Sequence, residues 1–491
     1  MFGTLTGSDL LSPAPILDAA QRYRGTIVDL DASCVLGPDE FAKAREALAR
    51  WLAGNGLSAG DRVIVAIANG PLFIATLLAI LACDASPLVV HSKTPPAELL
   101  RYARRFGARF LAGEPEDEPG RAEIETTSTR VTFADVLPLD WSTLSVGDHT
   151  PRGPELRGVP LHPTSGSTGL PKIALRPGYA ALEEARHYAE TMTINADDVV
   201  LAIPPMSHAY GYGMSVMVPL LTGASIVSMR RFSPKAVQRA LLAHRLTILP
   251  MVPAMLDVMS FSGGVDMRRL RWVLAAGAIL PRRSAKQFHR QTGAVATPLY
   301  GTTETGGISV ATAAAGQDVD GRVGPPMTGV EVTVRLSDEP GHASDLGRLL
   351  VRSSSQMKSY LDERGELSPA LSDGWFDTGD LAQIADDGTI HLRGRGSEVI
   401  NVSGLKVVPC EVEEAIATLP GVLEVKVYAG QHRAGSQMVK AAVSAERGVS
   451  VSDIRAHCEE QLVYYKRPQV VNLVDALPRN PAGKIIRDQL P

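Results

Sequence analysis

Apolar positions recur every three to four residues through 39–55, DEFAKAREALARWLAGN, which predicts an amphipathic helix ended by Gly54 and Gly56. The next segment, DRVIVAIAN, is short and β-rich, and an apolar helix is expected around Phe73 to Leu81. The alternation then repeats. Helices predicted at Ala180–Thr191 and Pro234–His244 each precede a strand, at Val199–Ile203 and Leu246–Pro250. Such alternation argues for α/β layers with largely parallel sheets. From about Gly329 the pattern shortens to the β runs EVTVRL and GRLLVRS, which suggests a small β-rich subdomain. Beyond a boundary near Arg395–Ser397 come a helix (Pro409–Leu419), strands (Val422–Ala429 and Met438–Ser444), a second helix (Val451–Leu462) and a last strand (Gln469–Leu473). The expected class is α/β: a large N-terminal domain, 1–395, of two α/β subdomains plus a small β-rich one, followed by an α+β C-terminal domain, 396–491.

Length agrees, since 491 residues are too many for one core. A net charge of −4 provides no global attraction to nucleic acid or anionic lipid. The C-terminal unit balances 11 Lys/Arg against 11 Asp/Glu, so it is not a basic nucleic-acid module. Cys34, Cys83, Cys410 and Cys458 are scattered without a CxxC pair, which argues against a disulfide framework or zinc site and fits a reducing cytoplasm. The N-terminal MFGTLTGSDLLSPAP lacks a basic start and an unbroken apolar run, so no signal peptide is expected. Two apolar stretches invite a membrane reading. Pro71–Val90 is interrupted by Asp84 and Pro87; Val199–Met229 has no charged residue but holds prolines, glycines and a histidine. Both read as buried core, the second as pocket wall, and no membrane insertion is expected.

Candidate chemistry sharpens this picture at 164–172, TSGSTGLPK. Glycines let backbone N–H groups approach a polyphosphate, hydroxyls donate further hydrogen bonds, and a lysine adds a point charge. Leu170 and Pro171 follow Gly169 where a Walker A loop would carry lysine and a hydroxyl, so the cradle belongs to another architecture. Four segments follow in order: Tyr300-Gly301-Thr302-Thr303-Glu304; Trp375-Phe376-Asp377-Thr378-Gly379-Asp380; Gly394-Arg395 running through Asn401-Val402-Ser403-Gly404; and Pro478-Arg479-Asn480-Pro481-Ala482-Gly483-Lys484. Each alone has a bland reading as a chance match, a common turn or a solvated tail. Their joint order does not.

The five segments together resemble the adenylate-forming superfamily of acyl-CoA synthetases, adenylation domains and luciferases, most like stand-alone acyl- or aryl-acid ligases. The likeness covers nearly the whole chain, including GLSAGDRVIVAIANG near its start. It implies a mobile C-terminal domain and two half-reactions: a carboxylate attacks the α-phosphate of ATP to give acyl-AMP and pyrophosphate, then a thiol displaces AMP. It assigns the β- and γ-phosphates to Thr164, Ser165, Gly166, Ser167, Thr168, Gly169 and Lys172. Thr303 would contact the α-phosphate and Glu304 would bind Mg²⁺, a hard oxygen-seeking cation. Tyr300 would stack on adenine beside Ala276-Gly277-Ala278, with Gly301 and Thr302 adjoining; Asp380 and Arg395 would hold the ribose. Lys484 would bridge the carboxylate and α-phosphate, then leave with its moving domain. The resemblance puts His208 at the carboxylate pocket, with Ala209, Tyr210, Gly211, Tyr212, Gly277, Gly301 and Gly307 around it. Gly404 would line the tunnel for the thiol arm of coenzyme A or of a phosphopantetheinyl acyl carrier protein, and Ser397 would lie at the hinge.

Three places depart from the family pattern. Ile173 follows Pro171-Lys172 where glycine is usual, Ser397 replaces an acidic hinge residue, and His162-Pro163 precede the loop. No acid occurs between Asp198 and Asp257, so the pocket offers nothing there to pair an α-ammonium, and α-amino acids are disfavoured. Tyr210, Tyr212, Met214 and Gly307 suggest an apolar pocket for an aryl or medium-chain acyl group. Arg433, Lys440, Lys466 and Arg467 read either as solvated charge or as contacts for coenzyme A phosphates or an acidic carrier. Two other classes stay open, a phosphoryl-transfer enzyme using the same loop and a non-catalytic acyl or nucleotide binder.

Overall fold

The computed structural model describes residues 12–114, 125–144, 156–164, 172–262, 265–280, 282–311, 321–336, 347–361, 367–369, 371–395, 400–403, 405–407, 409–432, 436–478 and 489–491. Two large mixed sheets dominate the N-terminal domain. The first runs in the order 306–310, 296–302, 272–275, 248–251, 199–202, 225–228, 27–29, 34–36. Its six central strands are parallel, and an antiparallel strand closes each edge. The second runs 367–369, 359–361, 172–175, 161–164, 86–89, 62–66, 110–113, 137–144, 125–133, with its parallel strands at the centre.

Between the sheets lies one shared hydrophobic core, into which the helices Pro38–Gly54, Pro71–Ala82 and Gly178–Met192 send their apolar faces. Every residue from Pro71 to Leu81 is buried, so this apolar helix is the centre of the core. Among the described residues, no helix is long and apolar enough to cross a membrane. Separate clusters cover the outer face of each sheet.

An antiparallel sheet of strands 322–324, 390–395, 375–384, 347–353 and 330–336 forms the β-rich unit. The C-terminal domain has its own hydrophobic cluster, running from Ile400 to Val471. It holds the helices Pro409–Ala417 and Val451–Gln461, and strands 422–431, 437–445 and 470–473. Ser450 starts the second helix with a capping box, its hydroxyl accepting from the Asp453 amide while the Asp453 carboxylate accepts from the Ser450 amide.

Candidate active site

The chain leaves strand 199–202 in both directions, to 225–228 on one side and later to 248–251 on the other. Such a switch in a parallel sheet leaves a crevice beyond the carboxyl ends of the strands. A cavity of about 1070 Å³ opens there. Its walls include Thr164, His208, Ala209, Tyr210, Ala276, Gly277, Ala278, Tyr300, Gly301, Thr302, Thr303, Glu304 and Asp380. Residues separated by more than 200 positions thus meet around one space.

Tyr300, on strand 296–302, donates its hydroxyl to Asp380 Oδ2 at 2.6 Å. Asp380 is itself buried, its amide donates to Thr378 Oγ1 at 3.1 Å, and its cross-strand neighbour is Arg395. This fixes a ring and a carboxylate side by side. Opposite them Gly277 has a φ of +87°, in the left-handed region that glycine enters without strain, between two alanines small enough to leave the cavity open. Its carbonyl accepts from Asn401 Nδ2 at 2.6 Å, a bond from the C-terminal domain.

Thr164 and Lys172 face each other across paired strands at the two ends of the phosphate-type loop. Ser165, Gly166, Ser167, Thr168 and Gly169 lie outside the described residues. Among the described residues the buried Thr164 hydroxyl has no hydrogen-bond partner, which is costly unless something polar reaches it. Lys172 Nζ sits 5.4 Å from the centre of the Tyr360 ring, and the Tyr360 hydroxyl donates to Glu304 Oε1 at 2.9 Å. The Glu304 carbonyl accepts from the Met357 amide at 2.7 Å, which pins the turn after Thr303. Lysine, phenol, carboxylate and buried hydroxyl therefore form one polar face. Ile173, at the loop exit, is fully buried in strand 172–175 and paired with Pro163 and Leu361, so an apolar side chain suits that position.

The opposite wall carries His208, held neutral by burial, which lowers its pKa to about 3 with help from His91 and Lys466. Glu184 shares this wall but is committed: Arg176 donates to it at 2.6 Å, and the Gly307 amide donates to its other oxygen at 3.2 Å. Gly211, Tyr212 and Gly307 do not line the cavity; they stand behind its wall. A Cβ on Gly211 would meet the Pro205 carbonyl oxygen at 2.1 Å, which explains glycine there. Tyr212 packs edge-on against His162 at 4.5 Å. Asp198 is tied up in a 2.6 Å pair with Arg271, whereas Asp257, from helix Pro253–Phe261, reaches the cavity wall.

Asn401, Ser403, Tyr465 and Lys466 enter the wall from the C-terminal domain, and of these Tyr465 had no signal in the sequence reading. Lys466 is buried rather than solvated, paired with Glu98 at 2.5 Å and Glu411 at 2.9 Å, so it is not available to a phosphate. Arg467 donates to the Leu462 and Glu459 carbonyls at the end of helix Val451–Gln461, and Lys440 donates to the Pro491 carbonyl. Ser397, Gly404, Arg433 and Lys484 lie outside the described residues, as does the Arg395 side chain.

Residues 19–361 match the family described as AMP-binding enzyme, and residues 411–484 match the AMP-binding enzyme C-terminal domain. Among characterised proteins, the chain is 28% identical to a sulfoacetate–CoA ligase of Cupriavidus necator, covering 90% of this chain and 89% of that one. It is also 28% identical to an indoleacetate–CoA ligase of Aromatoleum aromaticum, covering 92% of each. Among solved structures, a double mutant of the o-succinylbenzoate CoA synthetase MenE from Bacillus subtilis, bound with its product analogue, overlaps with a TM-score of 0.80 at 22% identity over 98% of both chains. MenE in complex with AMP overlaps at 0.65, again at 22% identity over 98% of both chains.

Proposed function

Because the chain belongs to the AMP-binding enzyme family, we propose that it is an AMP-forming acid–thiol ligase that activates a carboxylic acid with ATP and passes the acyl group to coenzyme A. One observation carries this reading: Tyr300, Asp380, Glu304, Thr164 and Lys172, far apart in sequence, converge on a single cavity or its rim.

In this reading Tyr300 stacks on adenine while Asp380, oriented by the Tyr300 hydroxyl, accepts from the ribose hydroxyls, with Arg395 alongside. The loop Thr164–Gly169 and Lys172 hold the β- and γ-phosphates. The Thr164 hydroxyl, unpartnered among the described residues, supports this, since a phosphate oxygen would satisfy it. Thr303 contacts the α-phosphate, and Glu304 supplies the hard oxygen that Mg²⁺ requires; the ion would neutralise charge on the phosphates. Neutral His208 would face the acid's carboxylate without adding to the charge. Lys484 stabilises the meeting of two anions in adenylation and departs with a mobile C-terminal domain, 396–491, hinged near Ser397. Gly404 then lines the thiol tunnel. Support comes from Asn401 and Ser403, which already border the cavity. The closer overlap with MenE in its product-analogue form than in its AMP form supports reading this arrangement as the thiol-transfer one.

The acid is an aryl or medium-chain acyl acid and not an α-amino acid. The relatives' named acids, sulfoacetate and indoleacetate, carry no α-ammonium, and Glu184 has no free oxygen to offer one. Coenzyme A is the acceptor preferred over a stand-alone carrier protein, because the relatives are CoA ligases. The scattered free thiols support a cytoplasmic setting. The test is pyrophosphate release across a panel of acids, with the thioester identified by mass spectrometry. Acid-dependent pyrophosphate and an acyl-CoA mass are expected. ADP as product would point to phosphoryl transfer, and no turnover with any acid to a binder.

A further inference from the structure

Away from the nucleotide side of the cavity, three charged residues meet in a place where none can reach water freely. Glu98 lies on helix Pro96–Phe106 of the N-terminal domain. One of its oxygens accepts from Lys466 Nζ at 2.5 Å and the other from the Val463 amide at 3.1 Å. Lys466 also pairs with Glu411, on the first turn of helix Pro409–Ala417, at 2.9 Å. Tyr102, from the same helix as Glu98, has its ring centre 5.9 Å from the ammonium. All three charged side chains are at most 13% exposed. Nearby, Arg101 donates to the Gln461 carbonyl at 2.8 Å.

The cluster straddles the domain boundary. Glu98 and Tyr102 belong to one domain, Lys466 and Glu411 to the other. If the domains part, Lys466 keeps Glu411 while Glu98 loses both its partners; when they meet, Glu98 is desolvated and must be paired. Burial of a charge makes this contact conditional on one geometry, because a small slip leaves a carboxylate dry and unpaired. The neighbouring residue extends the effect to the cavity. Tyr465 packs against His91 at 6.2 Å and His208 at 5.9 Å between ring centres, so the same strap that carries Lys466 closes part of the wall beside His208.

We propose that Glu98, Lys466 and Glu411 form an interdomain latch that holds the C-terminal domain in the arrangement seen here, and that latching seats Tyr465 against the His208 wall. The proposal builds on the acid–thiol ligase reading in that the latched arrangement is assigned to thiol transfer. Glu98 and Lys466 are then positioning residues, acting through the placement of a domain.

The experiment measures domain placement directly and does not need a substrate. Spin labels at Leu242→Cys and Leu423→Cys, exposed positions on the two domains, report the interdomain distance by double electron–electron resonance. The full chain should give one dominant distance. Glu98→Ala should move or broaden that distribution, and Glu98→Gln, which keeps an acceptor for the Val463 amide but not the charge, should move it less. In parallel, E98A should slow thioester formation from synthetic acyl-AMP by ten-fold or more while leaving pyrophosphate release within about two-fold, since it removes the two bonds, one of them from an ammonium, that Glu98 accepts across the boundary. An unchanged distance distribution in E98A overturns the latch. So does equal loss in both half-reactions, which would mark a purely structural role. If the unaltered protein activates no acid, the ligase reading fails while the distance measurement still decides the latch.

Discussion

Replacing Glu184 provides a sharp test of how the acid side of the cavity is built. Its side chain is 1% exposed and that of Arg176 is 3% exposed, 2.6 Å away. Removing either partner leaves the other charged and dry, which costs about 3–5 kcal/mol. Glu184→Gln keeps the shape and the acceptor for the Gly307 amide, so its cost isolates the stranded guanidinium. Arg176→Met strands the carboxylate instead. The double variant R176M/E184Q strands neither charge and should cost only about 1–2 kcal/mol, much of it from the bond Arg176 makes to the Ser355 carbonyl. For a unit of roughly 400 residues, 3–5 kcal/mol corresponds to a fall of about 4–6 °C in the main thermal transition. Denaturant titration of the four proteins gives the coupling energy, expected to exceed ~2 kcal/mol. If the single losses add to the double loss within about 0.5 kcal/mol, the pair is not a mutually dependent buried unit and the reasoning fails.

Tyr300→Phe removes the 2.6 Å bond to the buried Asp380 but keeps the ring, so the KM for ATP should rise about 10-fold or more, with a stability loss of about 1–3 kcal/mol; an unaltered KM would remove Asp380 orientation from the account. His162 and His208 have pKa values lowered to about 3, and His91 to about 4, chiefly by burial. Their unfolded forms bind protons below about pH 6.5 while the folded forms do not, so stability is complete above that pH and is lost as pH falls toward 3–4. Denaturant midpoints should drop across this window, and His162→Phe should flatten the slope by up to ~1.4 kcal/mol per pH unit; a slope unchanged by that variant contradicts the assignment. Lys484→Ala should cut acyl-AMP formation by a factor equivalent to about 3–4 kcal/mol yet spare thioester formation from synthetic acyl-AMP, as rapid-quench assays of each half-reaction would reveal. Near-normal rates in both halves would make it a solvated tail lysine.

Local pattern carried much of the fold. The helix expected at Ala180–Thr191 spans Gly178–Met192, and the strand expected at Val199–Ile203 spans Val199–Ala202, because amphipathic periodicity is written in neighbouring residues. Pairing between distant segments was not legible. Strand 27–29 joins strand 225–228, and strand 359–361 extends the sheet containing 172–175, through backbone bonds that no side-chain pattern announces. The site followed the same division. Tyr300 and Asp380 stood out by motif, and the structure brings them together. Glu98, Glu184 and Lys466 look like ordinary polar positions on helices or loops, and only their tertiary partners reveal them as buried. Tyr212 read as pocket lining because aromatic residues favour cavities, but it packs behind the wall on His162.

The central claim is that the acid's own oxygen attacks the α-phosphate of ATP. Incubating the protein with ATP, coenzyme A and an accepted acid labelled with ¹⁸O in its carboxylate, then weighing the AMP formed, tests this directly. One ¹⁸O atom should appear in AMP, together with unlabelled pyrophosphate and an acyl-CoA. AMP without label, or label in inorganic phosphate alongside ADP, would contradict acyl-AMP formation.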